Sequence, residues 1–425
     1  MNNQRLELVA DFYEYTMANG YFNKNMQDRI AYFDVFFRKV PDEGGYAIVA
    51  GLEQIINYIR NLSFDEEDIN YLRKQNKFSE EFLNYLENFR FTGDIWAIPE
   101  GTVVFPNEPL ITVKAPIIQA QLLETMLLLK TNHQSLIATK TSRIVKEAQG
   151  RPVMEFGARR AHGINAAVEG ARAAIIGGAV GTSCTLSAKE FNVPASGTMA
   201  HSWIQSFDSE YEAFKAYAEL YPDDCTFLID TYNTIESGLP NAIKVFNEVL
   251  KPKGYRPKAV RLDSGDLAYL SKKVRKILDE AGYEDCKICA TNSLDEYLIK
   301  SLIEQDAKID LFGVGENLIT AKSEPVFGGV YKLVALEKDK KIVPKIKVSE
   351  NTAKVTNPSF KKVYRFYDNE TKKAIADVIT LADEIIDERE YIIFDPQNPW
   401  KKKVLKDYSI RLLQEKIFEE RKINI

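Results

Sequence analysis

Apolar and polar positions divide the chain into three textures. Over 1–150 the pattern is mixed: stretches near 51–62, 79–89 and 117–149 carry apolar residues at helical spacing, the last of them long and amphipathic. Between them, GDIWAIPEGTVVFPNEPLITVKAP alternates apolar residues with Pro and Gly, which predicts a small β-structure with tight turns. From 151 to about 320 short apolar runs recur, most of them followed by a helical segment. The runs are PVMEF, AVGTSC, VPASGTMA, CTFLID, KAVRLD, KICATN and IDLFGVG, making seven strand candidates. That alternation predicts a parallel α/β barrel or a doubly wound sheet. Beyond 326 the chain turns Lys-rich and β-like, and is expected to pack back on the N-terminal β-structure. The organisation expected is an N-terminal α+β segment (1–150), an α/β barrel (151–325) and a C-terminal segment (326–425).

A barrel places its chemistry at the C-terminal ends of its strands. The polar and glycine residues of 151–320 fall at those ends: Arg159 and Arg160, Gly197 and Thr198, His201, Asp230, Asp263, Asn292, Gly313 and Gly315.

Composition narrows the reading. The 425 residues are 45% hydrophobic and 28% charged, with 56 basic against 61 acidic side chains and a net charge of −5. This argues against a general nucleic-acid coat, though not against small anions, which need only a local cationic cluster. No apolar run approaches the roughly 18 residues of a membrane span, so no membrane partner is expected. The N-terminus lacks a basic start, an apolar core and a cleavage site, which predicts a cytoplasmic protein. Four cysteines are too few for a disulfide scaffold, and Cys286-Lys-Ile-Cys289 stands in an apolar run without further metal-ligand spacing. It reads as buried strand.

Three histidines occur. His133 lies in the long amphipathic segment and reads as structural. His162 follows an arginine pair, where it could contact an anion. His201, in Gly197-Thr198-Met199-Ala200-His201-Ser202, stands between a strand run and a helix, the strongest position of the three for chemistry. Arg159 and Arg160 flank an apolar strand, and arginine forks match carboxylate and phosphate geometry. Arg261-Leu262-Asp263-Ser264-Gly265-Asp266 puts a cation and two carboxylates around a turn suited to ribose hydroxyls or Mg2+. Gly313-Val314-Gly315 exposes backbone N–H groups in a late loop, where barrels cradle phosphate.

The run of motifs resembles the nicotinate phosphoribosyltransferase family over nearly the whole chain. It rests on DFYEYTMANGYF (11–22), FFRKVPDEGGYAIVAGLEQ (36–54), EFGARRAHG (155–163), SGTMAHSW (196–203), FLIDTYNT (227–234), VRLDSGDL (260–267), FGVGENLIT (312–320) and PKIKVSENTAKVTNPSFKKVYRFYD (344–368). The resemblance implies an irregular α/β barrel of the quinolinate/nicotinate phosphoribosyltransferase type, beside an α+β domain built from both ends of the chain. It implies condensation of nicotinate with phosphoribosyl pyrophosphate (PRPP) to nicotinate mononucleotide and pyrophosphate, in NAD salvage. Mg2+ and ATP would take part, with ATP hydrolysis coupled through a phosphohistidine, an activity classed as a ligase. It also implies a homodimer with shared sites.

By the resemblance, His201 is the phosphorylated histidine and Asp230 the aspartate that orients it. Phe156 stacks on the base, and Tyr13 closes the sandwich from the other subunit. Arg159, Thr198 and Arg261 are substrate contacts and Asp263 meets the ribose. Asn292 is assigned to the substrate as well, and Gly313 and Gly315 to the 5′-phosphate. Glu316 departs from the family pattern, which has a third glycine or a small hydroxyl residue there. The nearest rival, nicotinamide phosphoribosyltransferase, carries an aspartate where Ser183 falls; serine can donate to a carboxylate that aspartate would repel. Quinolinate phosphoribosyltransferases are shorter and lack the phosphorylatable histidine loop. A non-catalytic binder would have no use for an ATP-coupling histidine, and an aldolase would want a strand-end lysine.

Overall fold

The computed structural model describes residues 6–348, 350, 355–387, 389–396 and 398–419, and the backbone of 422–423. The chain forms two compact units, one of residues 1–135 and 326–425, the other of residues 136–325. The first division falls inside the helix Glu124–Glu147, whose early residues Met126 and Leu127 and later residues Ile137, Ala138 and Ile144 are all buried.

The discontinuous unit is built on a seven-stranded sheet. One of its inner strands, Ile30–Phe37, pairs antiparallel with Ile111–Pro116 on one side and with Gly329–Lys338 on the other. The chain thus returns after residue 326 to pair with its own beginning. Asp34 in that inner strand is buried, yet it is held by Lys361 Nζ at 2.8 Å and Thr112 Oγ1 at 2.7 Å. A buried carboxylate needs such partners. Helices Leu52–Asn61 and Glu80–Glu87 occupy two of the amphipathic stretches. The third is split: Ile117–Gln121 ends at Leu122 before the long helix begins at Glu124. Phe12–Asn23 and Glu66–Lys74 are further helices that the apolar spacing did not mark.

The continuous unit carries a six-stranded, all-parallel, curled sheet. In spatial order its strands are Gly181–Thr182, Val153–Glu155, Leu311–Val314, Lys287–Ala290, Ala259–Leu262 and Thr226–Leu228. Six of the seven strand candidates become strands of this half-barrel. The seventh, VPASGTMA, contributes only a single parallel bridge between Ala195 and Thr182. Pro194 has no N–H for a ladder and Gly197 weakens a strand, so pairing stops there. The strand interiors are apolar because helices cover them. Leu267–Glu280 shows how: Asp266 caps its N-terminus by accepting from Tyr269 N–H at 3.0 Å, and Leu267, Ala268, Ser271, Val274 and Leu278 form its buried stripe. Cys286 and Cys289 are free and buried in this sheet, and desolvation pushes both thiols up to about 12. They are packing residues. Among the described residues no helix is long and apolar enough to cross a membrane.

Candidate active site

Every strand of the half-barrel ends in a polar residue or a tight turn, and the side chains at three neighbouring ends form a connected network. It starts at Asp230, just past Thr226–Leu228, which is buried and accepts from Asp263 N–H at 2.9 Å and Ser264 Oγ at 2.6 Å. Its other oxygen, Oδ1, is buried without a hydrogen-bond partner. Asp263, one strand over, accepts from Thr291 Oγ1 through Oδ1 and turns Oδ2 toward His201 Nε2 at 3.5 Å. Arg261 donates through Nη1 to Thr198 Oγ1 at 2.5 Å and to Met199 O at 3.2 Å, and lies 4.0 Å from Asp263. The guanidinium therefore ties the Gly197–Thr198 loop to the sheet.

His201 opens the short helix His201–Gln205, and its side chain is 40% exposed. Its Nδ1 lies 3.1 Å from Thr231 Oγ1. The resemblance assigns the ring's orientation to Asp230; in the structure the imidazole meets Thr231 and Asp263 instead. Asp230 instead holds the backbone of Asp263 and the loop that follows it.

A second group forms around the strand Val153–Glu155. Phe156 donates its N–H to Val314 O at 2.8 Å, which carries its ring over the end of the neighbouring strand. A methyl group on Gly313 would lie 2.6 Å from the Phe156 ring and 2.8 Å from Thr291 Cγ2, so only glycine lets the ring rest there. Gly315 follows at the same strand end, its backbone close to Phe156 O. Next to Phe156 in the chain, Glu155 is fully buried and accepts from Gly157 N–H and from Thr182 Oγ1 at 2.6 Å. Desolvation holds its carboxyl above the usual carboxylate range, against the lowering effect of those two bonds.

Arg159, His162, Ser183 and Asn292 are exposed at these ends. Asn292 adopts a left-handed backbone (φ 77°), which asparagine tolerates better than most residues. Arg160 pairs with Glu316 at 3.7 Å, and Glu316 also takes Lys322 Nζ at 2.7 Å. The hydrogen bond from Lys322, with Arg160 adding to it, keeps that carboxyl below its ordinary range. Glu316 is thus engaged by two cations where the resemblance implies a glycine or a small hydroxyl residue. Tyr13 lies in the other unit, on Phe12–Asn23, with 44% of its surface exposed. His133 is half-buried within Glu124–Glu147, as a structural histidine would be.

Glu155, Thr182, Thr231, Thr291 and Ser264 escape a reading from sequence. Single hydroxyls carry no spacing signal, and Glu155 meets Thr182 only because adjacent parallel strands bring them together.

Comparison with known proteins shows which family the chain joins. Three sequence-family profiles match: the nicotinate phosphoribosyltransferase N-terminal domain over residues 8–132, the nicotinate phosphoribosyltransferase family over 152–380, and its C-terminal domain over 360–424. The chain belongs to the nicotinate phosphoribosyltransferase family. It is 46% identical to nicotinate phosphoribosyltransferase of Bacillus subtilis (strain 168) over 416 residues, 98% of this chain and 84% of that one. It is 30% identical to the Homo sapiens enzyme over 436 residues, 89% of this chain and 80% of that one. The crystal structure of human nicotinic acid phosphoribosyltransferase superposes with a TM-score of 0.85 at 26% identity, covering 97% of this chain and 90% of the human one. A nicotinate-nucleotide pyrophosphorylase from Pyrococcus furiosus, at 23% identity and a TM-score of 0.72, shares the fold over 100% of this chain and 94% of its own.

Proposed function

We propose that the protein transfers the phosphoribosyl group of PRPP to nicotinate and couples this to ATP hydrolysis through a phosphohistidine at His201. The products are nicotinate mononucleotide and pyrophosphate, and the setting is salvage synthesis of NAD in the cytoplasm. The observation that carries the coupling is the single network joining His201, Asp263, Arg261 and Thr198 at adjacent strand ends.

In this reading the pyridine ring stacks on Phe156, the nicotinate carboxylate meets Arg159 or Arg261 beside Thr198, and Asp263 takes the ribose hydroxyls. Asn292 adds a substrate contact, and backbone N–H groups near Gly313 and Gly315 hold the 5′-phosphate. Departure of pyrophosphate leaves an oxocarbenium-like carbon. The protein's task is to position the pyridine nitrogen, which is itself the nucleophile, and to hold the leaving charge. No general base is required for that attack. Ser183 in place of an acid favours nicotinate over nicotinamide.

The residues fit a Mg2+ ion carried largely by substrate phosphates: Asp230 Oδ1 is a buried oxygen without a partner, and the Asp263 carboxylate is partly open. Such an ion would supply charge stabilisation for the pyrophosphate. A homodimer, with Tyr13 of one chain closing the base site of the other, completes the proposal; nucleic acid and membrane have no part in it.

The test is turnover of nicotinate against nicotinamide by the purified protein, with and without ATP. Nicotinate is expected to be faster and to be stimulated by ATP. Faster turnover of nicotinamide overturns the substrate assignment.

A further inference from the structure

Glu155 is buried at the end of Val153–Glu155, where, among the described residues, hydrogen bonds rather than a cation compensate its carboxyl group. One oxygen accepts from Gly157 N–H and the other from Thr182 Oγ1. Thr182 Oγ1 itself accepts from Cys184 N–H at 2.9 Å, so its own hydrogen is free to go to Glu155. Both neighbours thus bring a hydrogen, and a side chain with two accepting oxygens is what suits them. Burying such a group is costly, and an apolar side chain of similar volume often serves a core as well or better. Its place here needs a reason outside the core.

What the Glu155–Thr182 contact holds is a set of loops at the strand ends. Phe156 lies between two fixed points: its own N–H is on Val314 O at 2.8 Å, and the next N–H, that of Gly157, is on Glu155. Gly157 is closely packed, since a methyl group on it would lie 2.6 Å from Ile319 and 2.7 Å from Gly315 O. On the other side, Ser183 N–H donates to Glu155 O at 2.9 Å. Ser196 N–H donates to Thr182 O at 2.8 Å, which ties in the loop leading to Thr198. One buried contact therefore fixes the Phe156, Ser183 and Thr198 loops relative to one another.

We propose that Glu155, through Thr182, is a positioning residue for the pyridine substrate: it sets the spacing of the Phe156 ring and the Ser183 loop, and with it the preference for nicotinate over nicotinamide. This rests on the proposed stacking of the pyridine on Phe156 and the proposed role of Ser183. Glu155 touches no substrate and takes part in no bond change. Its effect is geometric, because a displacement of about 1 Å is enough to spoil an attack geometry. Asp263, the proposed ribose contact, is held by Asp230 and Thr291 and does not depend on this pair.

The test is steady-state kinetics of the full-length protein, with nicotinate, nicotinamide and PRPP varied in turn. Glu155→Gln is nearly equal in shape but turns an amide N–H toward one of the two donors. It should raise the KM for nicotinate by about tenfold, the effect of one unmatched buried hydrogen bond. The KM for PRPP should stay within about twofold of wild type, and the kcat/KM ratio of nicotinate to nicotinamide should fall by about fivefold. Thr182→Val, which removes the hydroxyl, should act in the same way. Thr182→Ser, which keeps it, should return the nicotinate KM to within about threefold of wild type. An unchanged nicotinate KM or an unchanged preference in the glutamine and valine variants overturns the role of Glu155. So do KM values for nicotinate and PRPP that rise in step, or a serine variant as impaired as valine. Loss of the native circular dichroism spectrum in both Glu155→Gln and Thr182→Val overturns it too, by making the pair a part of the fold alone. A wild-type protein without preference for nicotinate overturns the substrate assignment itself, and this inference with it.

Discussion

At the scale of single residues the candidate site is a set of side chains whose effect depends on one close neighbour. His201 is the clearest case. If it accepts phosphate from ATP, His201→Ala should abolish the acid-labile phosphate and the ATP stimulation, while a slow ATP-independent transfer survives on the remaining substrate contacts. Loss of PRPP affinity with ATP hydrolysis intact would show instead that His201 only hydrogen-bonds pyrophosphate. Gly313 makes a different kind of prediction. A β-carbon there collides with the Phe156 ring at 2.6 Å and with Thr291 at 2.8 Å. Gly313→Ala should therefore cost about 1–3 kcal/mol of stability by overpacking and displace the ring on which the proposed function stacks the pyridine. A several-fold rise in the KM for nicotinate, with a native circular dichroism spectrum, is the expected result; an unchanged KM would separate Phe156 from the base. The positions of His201, Asp263 and Gly313 were legible in the sequence because each ends an apolar run. The partner of the imidazole was not: Asp230 and Thr231 are adjacent at one strand end, and which of them turns toward the ring depends on the curl of the sheet.

At the scale of elements, an apolar run followed by a helix was enough to mark six parallel strands, because strands covered on both faces are apolar throughout. The same rule overcounted at VPASGTMA, where proline and glycine leave a single bridge. It also passed over Phe12–Asn23, whose face is not plainly amphipathic and whose buried side includes a glutamate, Glu14. That glutamate accepts from Thr125 N–H at 3.2 Å and from Thr125 Oγ1 at 2.5 Å, anchoring the helix. Burial, aided by the nearby Glu124, pushes its carboxyl from 4.5 up to about 7 despite those bonds. The folded state then keeps a proton that the unfolded chain has released, so the group's contribution to stability falls as pH rises from about 4.5 through about 7. Glu14→Gln, which can still accept from Thr125, should flatten that part of the profile. Melting temperatures of both proteins between pH 5 and 8 are the check. Parallel curves would mean that Glu14 is ionised in the native state across the range.

At the scale of the whole molecule, the helix Phe12–Asn23 also bears on assembly. Phe12, Tyr13 and Met17 expose 41%, 44% and 39% of their surface, and Tyr13 and Met17 stand one turn apart on a single face. Such a face is where the proposed second copy would have to dock. Tyr13 is moreover not an ordinary exposed phenol: desolvation first, and then the Glu124 carboxylate, hold its proton well above the usual value. It therefore stays a neutral ring suited to stacking at any physiological pH. If a second copy is what covers this face, and Tyr13 is what it receives, each base site draws His201 from one chain and Tyr13 from the other. The two defects should then complement. Tyr13→Ala homodimers lack the sandwich, and His201→Ala homodimers lack ATP coupling. In a dimer of one chain of each kind, one site inherits both defects and the other inherits neither. Equal co-expression gives half the molecules this mixed form, so about a quarter of the wild-type sites, and about a quarter of the ATP-stimulated turnover, should return. Sites confined to one chain would give no intact site in any dimer, and the mixture would stay as inactive as its parents.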